Sequence, residues 1–179
     1  MNPIESLKVR LNYRIYLAIL HAIDKEAYQY ERKKKRGTLS FFDRLQADDL
    51  TRPYYAYGMY HGAKQALACG ESQITVIEFG VAGGNGLVAM ESHAKSIEEE
   101  LGITIRIVGF DSGQGMPPPT DYRDLPYIWQ EGFFGMDKEK LQASLSRAEL
   151  RLGSVEETIN EFVNETEIPP IAFIAFDLD

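Results

Sequence analysis

The sequence predicts an α/β chain of the Rossmann-like, doubly wound kind. That means a mostly parallel sheet with helices on both faces, here preceded by an N-terminal helical segment. Three observations carry this prediction. Residues 74–86, Ile-Thr-Val-Ile-Glu-Phe-Gly-Val-Ala-Gly-Gly-Asn-Gly, pass from a β-branched apolar run through an acid into a turn holding four glycines. The stretch 87–101 then has a helical pattern and is closed by Gly102. Two further apolar runs, 104–110 and 171–176, also end in acids, Asp111 and Asp177. Continuous runs of this type belong to strands buried on both faces of a parallel sheet.

Bulk properties bound the function. A chain of 179 residues with 44% hydrophobic and 26% charged residues can build one domain with a substantial core. A net charge of −8 argues against nucleic acid as a partner, which favours a basic face. The basic run Arg32 to Arg36 follows Glu31 and has no interleaved aromatics, so it reads as a solvated helix end. A single cysteine, Cys69, excludes an internal disulfide framework, and its place at the end of an apolar helix predicts a buried structural thiol. The apolar run Ile15 to Leu20 is too short for a signal core or a membrane span, so the expected location is cytoplasmic.

Taken in order, residues 4–35 predict one long helix or two abutting ones. Leu7, Leu11, Ile15, Ile19 and Ile23 recur at helical spacing and form a stripe suited to core packing or to a homodimer contact. Gly37 ends this segment, and Ser40 to Gln46 suggests a short helix. Residues 54–69 form an aromatic-rich helix stopped by Gly70, placed to cover one face of the sheet. The domain reading is therefore 1–70 for the helical segment and 71–179 for the ligand-binding domain.

The glycine turn after Glu78 lets the backbone bend tightly across a strand end and keeps side chains out of a ligand's way. Asp111, at the end of the following strand, stands where a carboxylate accepts from both hydroxyls of a ribose; capping of the next turn is the plainer alternative. The loop from Ser112 to Gly135 is long, proline-bearing and aromatic, which fits a lid or substrate wall as well as a loop packed on the sheet. Asp137 caps a helix reaching to about Ser146, and Glu149 to Leu152 makes a short strand. Ser154-Val-Glu-Glu157 has the pattern of a capping box opening a helix to about Asn164. Glu78, Asp111, Gly153 and Asp177 thus share the carboxyl edge of the sheet, where ligands bind in open α/β folds. Because the last apolar strand calls for a helix and further strands after it, the natural chain is expected to continue past Asp179.

Glu78-x-Gly80-Val81-x-x-Gly84, together with Asp111-Ser112-x-x-Gly115-Met116-Pro117 and Asp177-x-Asp179, resembles the class I S-adenosylmethionine-dependent methyltransferases. Within them it is most similar to the macrocin O-methyltransferase type, over roughly residues 74–179. The resemblance implies methyl transfer to a small-molecule hydroxyl, of sugar or natural-product type. It places Glu78 by the methionine end of S-adenosylmethionine, with Gly80 and Gly84 giving room. It puts Asp111 on the ribose with Ser112 beside it, and Gly153, Ser154 and Val155 along the adenine. Asp177 and Asp179 become ligands for magnesium, which some relatives use, or lie next to the reacting hydroxyl with Asp177 as the catalytic group; turn capping is the plainer alternative. Asn85 and Gly113 depart from the family pattern on the substrate side.

Two other readings compete. Gly80-x-x-x-Gly84-x-Gly86 also matches the glycine spacing of nicotinamide-dependent oxidoreductases. Their Tyr-x-x-x-Lys pair appears here only as Tyr60 and Lys64, before the turn instead of after it, and Glu78 would face a pyrophosphate unfavourably. The other is a binding protein that keeps the fold without catalysis. None of His21, His61 and His93 falls in a motif, so each is expected on a helix surface or in packing.

Overall fold

The apolar runs form strands β1 (Gln73–Phe79), β2 (Thr104–Asp111), β3 (Glu149–Leu152) and β4 (Ile171–Phe176) in a computed structural model that describes residues 13–178. They make one sheet in the order β3-β2-β1-β4, and all three pairings are parallel. Strand order runs outward from β1 to β3 on one side and restarts with β4 on the other. This Rossmann-like order creates a topological switch point between the carboxyl ends of β1 and β4.

Strand alternation divides the sheet into two faces. Ile77 and Phe79 of β1 lie beside Val108 and Phe110 of β2, and Phe162 of helix α7 (Val155–Val163) packs on this layer with Val155, Ile159 and Ile168. Phe79 stacks on Phe110 at 5.0 Å, and Phe110 meets Phe162 edge-on at 5.6 Å. On the same side of β4, Ile174 and Phe176 are exposed.

The opposite face carries Val76, Glu78, Ile107 and Gly109 and lies under α4 (Pro53–Ala68) and α5 (Asn85–Leu101). Pro53 opens α4 at a position where no amide bond is lost. Gly58 and Gly62 bring α4 unusually close to β4. A Cβ on Gly62 would overlap the Ala172 carbonyl oxygen, and one on Gly58 would overlap the Phe173 ring. This small-residue contact has no counterpart in the hydrophobic pattern, which had assigned α4 only a general covering role.

Contacts separate the chain into units of residues 1–50 and 51–179. Helix α4 falls in the second of these units, with the sheet. In the first unit, α1 (Tyr13–Ile23) and α2 (Lys25–Arg36) are two helices. They are broken at Asp24, whose carboxylate accepts from the Ala27 amide at 2.9 Å. Tyr16 and Leu20 are buried, whereas Ile15 and Ile23 of the expected stripe are exposed; Leu7 and Leu11 lie outside the described residues. Ser40 and Asp43 form a reciprocal capping box opening α3 (Phe41–Gln46). Lys33 pairs with Asp43 at 2.5 Å and Lys34 with Asp49 at 3.3 Å, so acids of the same unit partner this part of the basic run. Cys69 is exposed, contrary to the buried thiol expected, because it falls at the C-cap of α4 where the helix leaves the sheet. Among the described residues no helix is long and apolar enough to cross a membrane.

Candidate functional site

The sheet register explains how an acid comes to be buried at the end of β1. Glu78 faces the side of α4 and α5, and its neighbours in the adjoining strands are Gly109 and Ala175, which leave space for its carboxyl group. Above it, Gly84 adopts the left-handed conformation that starts α5, and Gly86 sits in the first helical turn. A Cβ on Gly86 would overlap Glu78 Oε1 and lie 2.5 Å from Cδ. Glycine at this position is thus what admits the carboxyl group beneath the helix N-terminus.

Glu78 is 1% exposed, and only one of its oxygens is satisfied: Tyr55 Oη donates to Oε1 at 2.7 Å, while Oε2 has no partner. Burial, with a smaller push from the Asp177 charge, raises the Glu78 carboxyl to about 7, against the opposing pull of the Tyr55 hydrogen bond, the Arg52 charge and the nearby Leu87 amide. Burial, and then the bond to Glu78, hold the Tyr55 phenol protonated far above the ordinary tyrosine range. The result is a buried acid poised to change charge near neutrality, with one oxygen uncommitted.

Asp111 lies at the end of β2 as expected, but its carboxylate is engaged by backbone. Oδ2 accepts from the amides of Val81 at 2.8 Å and Ala82 at 2.9 Å, and Oδ1 accepts from Gly113 at 2.6 Å. With about four acceptor positions on a carboxylate, roughly one remains, on Oδ1. Asp111 therefore ties the glycine turn to the turn after β2 while keeping one acceptor toward the strand end. Ser112 makes a local turn, its Oγ accepting from the Gln114 amide at 3.2 Å.

Gly80 and Gly84 are both left-handed, and protein lies close on the side where a Cβ would stand. A Cβ on Gly80 would strike the Asp177 carbonyl, and one on Gly84 would strike Leu141 of α6 (Lys138–Ser144). Gly83 is the member of the turn with nothing near it.

At the switch point stands a cluster that sequence reasoning missed. Arg52 has φ 47° and ψ 63°, uncommon for a residue with a side chain. Its guanidinium lies 5.3 Å over the Tyr55 ring, and its Nη1 donates to Tyr54 Oη at 3.0 Å. Nη1 also reaches Asp177 Oδ2 at 3.5 Å, the same oxygen that Tyr55 Oη approaches at 3.5 Å. The corner before Arg52 is held by His93, buried on α5, whose Nε2 lies 2.7 Å from the Thr51 carbonyl and carries the proton between them. Pro53 marks the helix start in the sequence, but no local pattern shows that Arg52 meets a strand end 125 residues later.

The remaining assignments vary in how they stand. Gly153 bonds the Asp111 carbonyl through its amide at 3.0 Å, which brings residues 153–155 beside Asp111. The Ser154 hydroxyl does not cap α7, because the Glu157 amide bonds the Ser154 carbonyl instead. The loop 112–135 is fastened to itself, with Met116 and Phe133, and Gly132 and Met116, paired through backbone. Tyr122 and Tyr127 project from it, 79% and 75% exposed. Asp179 lies outside the described residues, and the neighbour of Asp177 is a guanidinium. Among the described residues no three His, Cys, Asp or Glu side chains converge as a cation site, so the magnesium expectation finds no donor set and no step is derived from it.

Tyr60 is buried in α4 and donates to Glu100 at 3.1 Å, near the far end of α5 and about 20 Å along that helix from the glycine turn. The Tyr60–Lys64 pair therefore takes no part in the site. His21 lies against Tyr28 at 4.6 Å and His61 against Tyr57 at 4.3 Å, both packing contacts.

No protein-family model and no curated protein sequence matches the chain. Among solved structures it is similar to the calicheamicin methyltransferase CalS11, with 23% identity and a TM-score of 0.49. That match covers 99% of this chain and 68% of the other. At that distance the functional reading rests on the residues themselves.

Proposed function

We propose that the chain is an S-adenosylmethionine-dependent methyltransferase acting on a small-molecule hydroxyl, of sugar or natural-product type. The observation that carries this reading is the uncommitted Glu78 oxygen under the glycine turn, at the switch point of a parallel sheet. A buried carboxyl group at the first turn of α5 occupies the place where a dinucleotide's pyrophosphate would seek a helix N-terminus. It repels that anion and suits a cationic ligand. The same feature disfavours the nicotinamide reading.

The residues present fit the donor. Glu78 supplies charge and an open acceptor, Asp111 one acceptor toward a ribose, and residues 153–155 a wall beside it. When bound, S-adenosylmethionine supplies a methyl group activated by its sulfonium. The work left to the chain is alignment of the two reactants and removal of a proton from the acceptor. Asp177, more than half exposed at the end of β4, is the group placed to take that proton. Loop 112–135, with Tyr122 and Tyr127 exposed, forms the acceptor wall. The overall acidity fits a small molecule better than nucleic acid as the acceptor.

Calorimetric titration with S-adenosylhomocysteine, with NAD as control, tests this. Micromolar binding of the first and none of the second is expected. Binding of NAD, or of neither at millimolar concentration, would overturn the proposal.

A further inference from the structure

Arg52 is held in a backbone conformation that its local sequence disfavours. It adopts φ 47° and ψ 63°, and it precedes Pro53, whose ring pushes the residue before it toward extended backbone. A left-handed residue with a side chain persists in such a place only when the surroundings over-determine it. Pro53 opens α4 on one side of Arg52, and on the other the buried His93 bonds the Thr51 carbonyl at 2.7 Å. Strain of this kind collects where a side chain has to be aimed.

The group so aimed is a guanidinium with donors to spare. Nη1 donates to Tyr54 Oη at 3.0 Å and reaches Asp177 Oδ2 at 3.5 Å. The cation lies 5.3 Å over the Tyr55 ring, a contact that holds it without using an N–H. Among the described residues neither Nε nor Nη2 has a partner. Asp177 does not form the two-pronged pair of a guanidinium and a carboxylate at contact, because its approach is through one oxygen and some tenths of an ångström long. Held by Tyr54, Asp177 and the Tyr55 ring, Arg52 thus keeps its Nε–Nη2 edge as a pre-oriented fork at the switch point between β1 and β4.

We infer that this fork binds an oxyanion carried by the methyl acceptor, a carboxylate or a phosphate monoester, so that the acceptor is an anionic hydroxy compound. The inference rests on the methyltransferase reading and narrows its acceptor. Asp177, the group placed to take the hydroxyl proton, stands beside the same guanidinium, so one ligand sets its anion on Arg52 and its hydroxyl by Asp177. The two anions use different edges of the cation, Asp177 at Nη1 and the ligand at Nε and Nη2. Arg52 and Asp177 are 27% and 57% exposed, whereas Glu78, the charge that suits the donor, is buried beneath them. A chain of net charge −8 repels anions elsewhere, so the selection is local to this cation.

Two-dimensional NMR on the isotope-labelled whole chain tests this, with inorganic phosphate and acetate as probes and chloride at equal ionic strength as control. The Arg52 Nε–H signal, identified by its absence from Arg52→Lys, should shift saturably with one of the probes. Saturation is expected at a concentration at least ~10-fold below that for chloride. Tighter phosphate indicates a phosphate monoester on the acceptor, and tighter acetate a carboxylate. The shift should persist with S-adenosylhomocysteine saturating, because donor and acceptor anion occupy different places. Arg52→Lys keeps the charge without the fork, so the probe, followed through the Thr51 and Tyr54 amides, should weaken by ~10-fold. S-adenosylhomocysteine should stay within ~3-fold in that variant, which shows that it is folded. No saturable shift, or an equal shift at the exposed Arg36, overturns the inference and leaves the methyltransferase reading standing. So does loss of anion binding when S-adenosylhomocysteine is added, which gives the corner to the donor. If S-adenosylhomocysteine does not bind the wild type, the methyltransferase reading falls and the acceptor assignment with it.

Discussion

Replacing Glu78 by glutamine isolates the cost of a buried charge. The side chain is 1% exposed, and its carboxyl pKa is carried by burial from an ordinary 4.5 to about 7. Below the lower value the group is protonated whether the chain is folded or not, and it contributes no pH dependence. Above the higher value it is ionised in both states, and the folded state bears the full penalty. Between them the folded chain binds the extra proton, so this group's contribution to stability falls as pH rises. At about 1.4 kcal/mol per pH unit, the interval corresponds to ~3 kcal/mol. Glutamine keeps an acceptor for Tyr55 Oη and carries no charge. Urea unfolding at pH 5 should therefore place Glu78→Gln within about 1 kcal/mol of wild type, and at pH 8.5 should make the variant more stable by ~2–3 kcal/mol. Taking the difference between the two chains cancels the other carboxylates, such as Glu149 and Glu165, which arginines hold below their usual range. Parallel stability curves across this window would refute the reasoning, because they would mean that the buried carboxyl group does not titrate there.

Gly62→Ala should destabilise by ~1 kcal/mol or more. The helix-propensity gain of about 1 kcal/mol is outweighed because the new methyl group meets a backbone carbonyl of β4 that cannot rotate aside. Gly83→Ala, with open space around it, should stay within ~0.5 kcal/mol, and thermal denaturation of the two variants distinguishes them. Asp111→Asn replaces an acceptor oxygen with a donor facing backbone amides, so it should cost ~2 kcal/mol in unfolding experiments. The same variant should weaken S-adenosylhomocysteine binding at least ~10-fold, since the glycine turn loses its tether.

Much of the sheet is legible in the chain, because buried parallel strands write themselves as apolar runs. The spans expected for β3 and β4 match those observed, and β2 differs only by including Asp111. Strand β1 extends through Glu78 and Phe79, since β2 and β4 continue to pair with it there. Ends set by distant partners are less legible. Helix α6 stops at Ser144, short of the expected Ser146, and Glu91 of α5 accepts from the amides of Ser146, Arg147 and Ala148. That carboxylate substitutes for helical bonding, and nothing near residue 146 announces it.

The site divides in the same way. Glu78, Asp111 and the glycines were visible as acids and glycines at strand ends, and the structure gathers them at one edge. The partners that set their chemistry were not visible. Tyr55 and Arg52 precede β1, in and before a helix whose aromatic pattern reads as packing. The three backbone bonds of Asp111 were not legible either, because they come from two turns that meet only in the fold. Nor does any local pattern announce that the glycines at 80 and 84 let the Asp177 backbone and Leu141 approach closely.

Hydrogen exchange measured with and without saturating S-adenosylhomocysteine is the most direct test of where the ligand sits. New protection is expected at residues 80–87, 111–115 and 153–155, the turns joined through Asp111 at the carboxyl edge of the sheet. Protection confined to residues 13–50, or none at saturation, would contradict it.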